Sequence, residues 1–199
     1  MARRKRKKDS SKKYALMGIF IVAIMVLSGV GYMWSGSANT PGNYDGHKLI
    51  MQNNRWYAET GEDTYVSFSY HPSELESMNM SSSLTQYLKN VRMLYMTFDP
   101  ESELVQEFEI QRLRLERVMP EHLSIYPSTG VTKNTSQYSA YPVIGCENST
   151  VHVPVLYFRE GNTTEIIAQD TCIILQARNG FEIDIVTDRL LYGLLGIIG

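Results

Sequence analysis

Hydrophobic and polar positions alternate in the early part of the chain in a pattern that predicts three β-strands. Alternation with period two is typical of a strand that buries one face. Asn53-Asn54 predicts a tight turn between the first two strands, because Asn tolerates positive φ, and His71-Pro72 ends the run, because Pro cannot donate to a strand ladder. The predicted strands are His47–Gln52, Arg55–Thr60 and Thr64–Tyr70.

The middle of the chain combines helical and extended patterns. A helical pattern covers Pro72–Asn90, and the Ser81–Ser83 cluster can split it by offering a second N-cap. A second helix is predicted to begin at Asp99-Pro100 and to end before Pro120. Three further segments are predicted as a buried strand, a short strand and an exposed loop, in the order Val91–Phe98, Leu123–Tyr126 and Pro127–Tyr141.

The last third predicts three more strands and a final helix. The strands are Val151–Phe158, Thr164–Gln169 and Thr171–Ala177. Apolar residues from Ile183 to Ile197 then recur at helical spacing, and we expect this helix to lie in the core rather than at a membrane surface. Strands interleaved with helices predict an α+β (or α/β) domain in which helices cover a mixed sheet.

A different pattern precedes this domain. Residues 15–33 contain no charge, and a helix of 19 residues is about 28 Å long, close to the thickness of a bilayer core. The sequence therefore predicts a basic cytoplasmic tail (1–13), a transmembrane helix (14–34), a linker (35–43) and an extracytoplasmic domain (44–199). A cleaved signal peptide is the alternative, with 35–38 as the cleavage region.

Charge sets the orientation of this arrangement. The chain has 19 basic and 21 acidic residues, but eight basic residues and one acid lie in the first 13 positions. Basic flanks collect on the cytoplasmic side of a span, so we expect a single-pass cell-membrane protein with its carboxyl-terminal domain outside. The remainder carries a net charge of −9, which argues against nucleic acid as a partner.

The two cysteines, Cys146 and Cys172, both fall in the outer domain. Outside the cytoplasm they predict a disulfide bond, while the alternative is a redox pair, which usually has C-x-x-C spacing. Four Asn-x-Ser/Thr sequons predict a glycosylated surface, unless polar turns simply contain these residues. The acceptors are Asn79, Asn134, Asn148 and Asn162.

Other chemistry-bearing residues give no catalytic or metal-binding pattern. The histidines, His47, His71, His122 and His152, lack the spacing of a metal motif. Two acidic groups could act as pairs for hydrolysis, but helix-start charge explains both of them without catalysis. These groups are Asp99 with Glu101 and Glu103, and Asp184 with Asp188. We therefore predict no metal site, no cofactor and no assigned catalytic residue.

Parts of the sequence resemble two groups of known proteins. The order of elements from Val91 to Gly199 resembles the thioredoxin-like fold, which implies a cis-proline at Val153-Pro154-Val155, although no C-x-x-C motif is present. The segments Thr171–Ile174 and Asp188–Gly196, with Val153–Val155 and Gly161-Asn162, resemble uncharacterised single-pass membrane proteins of archaea. That second resemblance implies a location and no activity.

Three functions follow as hypotheses. The first is a non-enzymatic, membrane-tethered envelope protein whose outer domain binds a protein or glycan. The second is an enzyme, either a thioredoxin-like oxidoreductase that uses Cys146 or Cys172, or a hydrolase. The third is an accessory subunit of a membrane complex that docks through the apolar carboxyl terminus.

Overall fold

A computed structural model describes residues 14, 15, 17–26 and 40–199. Residues 17–26 form a helix, α1. The predicted tail (1–13), part of the predicted span (14–34) and most of the linker (35–43) lie outside the described residues. Within the residues described, no helix combines the length and the apolar character needed to cross a membrane. The chain divides into two units at Thr40, and Thr40–Gly199 is described below by itself.

A four-stranded antiparallel meander begins this unit. Its strands are β1 (Thr40–Tyr44), β2 (His47–Gln52), β3 (Arg55–Gly61) and β4 (Thr64–Phe68), paired in chain order. The Asn53-Asn54 turn has positive φ at both residues, as a two-residue hairpin requires. The sequence assigns residues 40–43 to the linker, but they form most of β1. Strand β1 lies at the edge of the sheet and pairs only with β2, so it tolerates Pro41 and Gly42.

Two short helices and a long one follow. The helices α2 (Pro72–Leu75) and α3 (Ser82–Lys89) are separate, and Ser81 caps the second, as the serine cluster predicts. The long helix α4 (Val105–Leu123) begins later than predicted, because Asp99 and Ser102 accept backbone N–H groups of Glu101 and Leu104 in turns. It also continues through Pro120 to a left-handed residue, Ser124.

The second sheet has five strands in the order β6-β5-β7-β9-β8. Strands β5, β6, β7 and β9 are parallel, and β8 pairs antiparallel with β9 at an edge. β6 begins three residues after the predicted strand, because Leu123 still belongs to α4. The bounds are β5 (Met93–Phe98), β6 (Tyr126–Thr129), β7 (Val155–Glu160), β8 (Glu165–Gln169) and β9 (Cys172–Ala177).

The last helix, α5 (Gly180–Leu195), lies in the core and contacts both sheets. Ten residues of α5 are buried, namely Ile183 and all of those from Val186 to Leu194, so no face of its central turns meets solvent. On the side of the meander, the rings of Tyr192 and Phe68 stack with centroids 3.8 Å apart. On the other side α5 packs against β9. The predicted core helix is therefore present, and it joins the two sheets into one hydrophobic core.

The face of the five-stranded sheet opposite the main core carries a smaller apolar cluster, in which Val155, Cys172 and Ile174 are buried. A chain segment that includes Ile144 and Cys146 covers this cluster. Cys146 lies in a single 3-10 turn and is joined by a disulfide to Cys172, the first residue of β9. The architecture is thus an α+β fold with one antiparallel and one mixed sheet, as the sequence predicts at the level of fold class.

Candidate binding site

A polar cleft lies where ligands bind in many open α/β sheets. The chain leaves β5 toward β6 on one side and later returns to β7 on the other, so the carboxyl ends of β5 and β7 form a topological switch point. The cleft there has a volume of about 330 Å³. Its lining includes Asp99 and Glu101, which the sequence singled out as an acidic pair, together with Glu160 and Arg159.

Polar groups of this switch-point cleft already have partners in the structure. Lys133 Nζ lies 3.0 Å from Asp99 Oδ2 and 3.0 Å from Glu101 Oε2, while Ser102 donates to Glu160 at 2.7 Å. These contacts raise the pKa of Lys133, chiefly through the hydrogen bonds to Asp99 and Glu101. The acids therefore act in the structure as partners of a lysine that fixes the segment after β6.

A second cavity, of about 300 Å³, lies between the meander and the helices α4 and α5. We call it the arginine pocket, because three arginines line it. It draws on four separate stretches of chain: the start of β3, β4, the middle of α4 and the first turn of α5. Its charged and apolar lining residues are Arg55, Glu107, Ile110, Arg114, Arg117 and Asp184.

Arg114 is the most firmly held of the three arginines. Its side chain is 10% exposed, and its Nη2 contacts Asp188 Oδ1 at 2.6 Å and donates to the carbonyl of Ser67 at 2.6 Å. Its Nη1 donates to Gln111 Oε1 at 3.3 Å. The buried Nε–H has no acceptor among the described residues. Because solvent does not reach this buried atom, an oxygen that enters the pocket does not reach it either, and Arg114 forms part of the pocket wall rather than a free donor.

Asp188, which anchors Arg114, is itself completely buried. Besides the ion pair, its Oδ2 accepts the backbone N–H groups of Ser69 at 2.8 Å and Tyr70 at 3.1 Å. Burial raises the pKa of the Asp188 carboxyl, while Arg114 and the two N–H groups oppose that shift. Asp188 thus neutralises Arg114 from behind the pocket, as a positioning group rather than as half of a hydrolytic pair with Asp184.

The other two arginines remain free to bind a ligand. Arg55 is exposed and donates only to Ser69 Oγ, at 3.1 Å. Arg117 is exposed and makes no hydrogen bond or ion pair with any residue in the described part of the chain. Of the two acids in the lining, Asp184 accepts a hydrogen bond from Gln111. Asp188 offsets the charge of Arg114, so the two exposed arginines face Glu107 and Asp184 in the lining.

The start of α5 forms one wall of the pocket. Gly180 lies so close to α4 that an added Cβ would approach Glu107 Cγ to 2.7 Å, so a side chain here would push into the pocket wall. Asn179 caps the helix by accepting the N–H groups of Phe181 and Glu182. Because the cap uses these donors, the arginines are the available groups for an anion. Phe181 is 84% exposed beside this wall.

The predicted disulfide between Cys146 and Cys172 is present, and the two cysteines are 26 positions apart. Cys172 is 2% exposed, and no described residue is a free cysteine. The peptide bond before Pro154 is trans, whereas the thioredoxin-like resemblance implies a cis bond. The four sequon residues, Asn79, Asn134, Asn148 and Asn162, are all exposed, which leaves each acceptor accessible to modification.

The histidines do not gather at one site. His47 and His122 line a cavity of about 270 Å³, where His122 Nδ1 lies 2.9 Å from Thr60 Oγ1. His71 caps α2, and His152 is exposed. Among the residues that the structure describes, no three His, Cys, Asp or Glu side chains are arranged to hold a metal ion.

Comparison of the chain with family models, curated proteins and solved structures gave no match. The two resemblances noted in the sequence therefore stay predictions. The arginine pocket was not predicted, because its residues come from four distant segments with no common spacing. One pattern pointed toward it: two of its three arginines, Arg114 and Arg117, lie three positions apart on the amphipathic helix α4.

Proposed function

We propose that this protein is a membrane-tethered envelope protein whose outer domain binds a partner through the arginine pocket. The pocket carries the proposal, because it is a preformed concavity in which exposed arginines lie beside apolar surface. Arginines and exposed aromatic side chains are typical of the energetically important parts of binding sites.

The location in this proposal is supported by two independent features. The Cys146–Cys172 disulfide is typical of proteins that fold in an oxidising compartment outside the cytoplasm. The charge-free residues 15–33 after a strongly basic start favour an anchor whose basic end stays in the cytoplasm. Together they favour an outer domain tethered close to the membrane.

The enzyme hypotheses have less support. A thioredoxin-like oxidoreductase needs a reactive thiolate, and here a nearly buried Cys172 is bonded to Cys146. A hydrolase that uses Asp99 and Glu101 would have to release them from Lys133. An accessory subunit would differ from the main proposal in its docking surface, the apolar carboxyl terminus. That segment, including Ile197 and Ile198, is buried within its own domain, so it has less support as a docking surface.

Site-specific photocrosslinking in intact cells tests the proposal. The photoreactive residue p-benzoylphenylalanine replaces Ile110, which is 61% exposed at the pocket, and in a control chain it replaces Met93, which is 48% exposed on β5. We expect discrete crosslinked products from position 110 that are absent from position 93. Equal products from both positions, or none from position 110, would overturn the proposal.

A further inference from the structure

Building on the proposed binding role, we infer that the arginine pocket recognises a carboxylate of a partner protein, presented on a peptide segment with apolar neighbours. The inference concerns the chemistry of the occupant. It rests on four properties of the pocket: its donors, its charged groups, its volume and the apolar residues beside it.

The donors fit a planar, singly charged oxygen acid. Guanidinium groups bind carboxylates through paired N–H donors, and Arg55 and Arg117 each retain unpaired donors. Arg114 lies behind them as a fixed part of the pocket wall, because Asp188 and Ser67 hold its guanidinium in place. A carboxylate that enters the pocket therefore meets the free donors of Arg55 and Arg117.

The charge of the pocket distinguishes a carboxylate from a phosphate. Asp188 offsets the charge of Arg114, and Arg55 and Arg117 are opposed by Glu107 and Asp184 in the lining. A carboxylate adds one negative charge beside these two acids, whereas a phosphate monoester adds nearly two at neutral pH. Like charges at such short range oppose binding.

The apolar surroundings of the pocket favour a peptide over a glycan. A volume of about 300 Å³ lies at the lower end of ligand pockets, so the pocket takes a small group and the rest of a larger partner must lie on the rim. That rim carries Ile110, which is 61% exposed, and the lining residue Gly180 is followed in the chain by Phe181, which is 84% exposed. Apolar and aromatic residues around arginines are typical of the centre of a protein interface.

An array of blocked hexapeptides tests the inference on the full-length chain in detergent. The central residue of each peptide is Asp, Asn or phosphoserine, between randomised apolar or polar neighbours, and oligogalacturonate serves as a separate carboxylate-bearing glycan. We expect Asp peptides with apolar neighbours to bind about tenfold more tightly than their Asn counterparts. Phosphoserine peptides and the oligosaccharide should bind more weakly than the Asp peptides.

Matched variants locate the preference. Arg55→Gln and Arg117→Gln should each reduce the preference for Asp over Asn at least about fivefold, and neither residue supports the core. Arg92→Gln removes the same charge from an exposed residue before β5 and should leave the preference unchanged. Phe181→Ser should remove the dependence on apolar neighbours and keep the preference for Asp.

Several outcomes overturn the inference. Equal binding of Asp and Asn peptides excludes carboxylate recognition, and stronger binding of phosphoserine or oligogalacturonate assigns the pocket to another ligand class. An equal effect of Arg92→Gln reduces the preference to bulk charge. If no probe binds, the inference fails, while crosslinked products at position 110 in cells would still support the proposed binding function.

Discussion

The guanidinium of Arg114 and the carboxylate of Asp188 form a buried ion pair, with Nη2 and Oδ1 2.6 Å apart. The pair joins α4 to α5, and hydrogen bonds to Ser67, Ser69 and Tyr70 extend it to β4 and the residues that follow. The guanidinium also lies over the ring of Phe68, 5.5 Å from its centroid. These polar contacts therefore fix the two helices to the meander and hold Arg114, the most buried arginine of the pocket, in place.

Replacing one member of this pair should destabilise the fold strongly. Asp188→Asn leaves the Arg114 charge buried without a counter-charge, and we expect the free energy of unfolding to fall by about 3–5 kcal/mol. Urea unfolding followed by circular dichroism measures it. Lys48→Gln, which breaks the exposed ion pair with Glu59, is the control and should leave stability nearly unchanged.

The double variant Arg114→Met/Asp188→Leu separates pairing from burial. Because it removes both charges together, we expect it to lose less stability than Asp188→Asn alone. A double variant as unstable as the sum of the single variants would contradict a direct ion pair.

Glu182 gives the fold a dependence on acid. Hydrogen bonds from Arg178 and Thr164 lower the pKa of Glu182 to about 2, from its ordinary value of 4.5. A carboxyl whose pKa is lower in the folded state stabilises the fold above the unfolded pKa, and that contribution is lost as the pH falls from about 4.5 to about 2. Glu182→Gln should therefore flatten the pH dependence of the urea midpoint in this window.

Glu62→Gln is the control for the acid dependence, because Glu62 is exposed in the turn between β3 and β4. We expect its curve of urea midpoint against pH to follow that of the unmodified chain. If Glu182→Gln and the unmodified chain lose stability in parallel between pH 4.5 and 2, another group is responsible for the acid dependence.

The disulfide should contribute to stability and remain closed. Cys146 and Cys172 are 26 positions apart, and closing a loop of that length stabilises a fold by about 3–4 kcal/mol through the unfolded chain. Cys146→Ala/Cys172→Ala should lower the free energy of unfolding by that amount. Thiol labelling of the purified chain should detect no reactive cysteine until it is reduced, and a labelled thiol in the untreated chain would favour the redox hypothesis.

Tyr192 tests how the core joins the two sheets. Its hydroxyl donates to the carbonyl of Tyr70 at 2.9 Å, and burial raises the pKa of this hydroxyl. Tyr192→Phe should cost about 1 kcal/mol by removing the hydrogen bond, whereas Tyr192→Ala should cost about 3–5 kcal/mol by removing the ring that stacks on Phe68. Equal losses in urea unfolding would show that the stack contributes little.

The strands of the meander and the final helix were predictable because local periodicity determines them. β2 coincides with its prediction, and α5 shows the helical recurrence of apolar residues expected of a core helix. The start of α4 was not predictable by the same rules. Asp99 followed by Pro100 is a common helix start, but here the Asp99 and Ser102 side chains cap turns, and the helix begins only at Val105.

The arginine pocket depended on tertiary structure that no local pattern contains. Arg55 and Arg114 come together only because α4 and α5 pack against β3 and β4, and sequence gives no spacing for that contact. The sequence marks Asp188 only as a member of an acidic pair, because neither its burial nor its partner Arg114 is visible there. The disulfide was predictable because only two cysteines occur in the chain.

The resonance of the Arg117 Nε–H group tests the central claim most directly, because Arg117 is exposed and lines the arginine pocket. In nitrogen-15 spectra of arginine side chains of the full-length chain, titration with a blocked Leu-Asp-Phe tripeptide should shift the Arg117 Nε–H signal saturably. The Leu-Asn-Phe tripeptide should not shift it, and the Arg92 signal should stay in place with either peptide. An Arg117 signal that is unchanged at about 10 mM Asp peptide, or that moves equally with the Asn peptide, would contradict carboxylate binding in the arginine pocket.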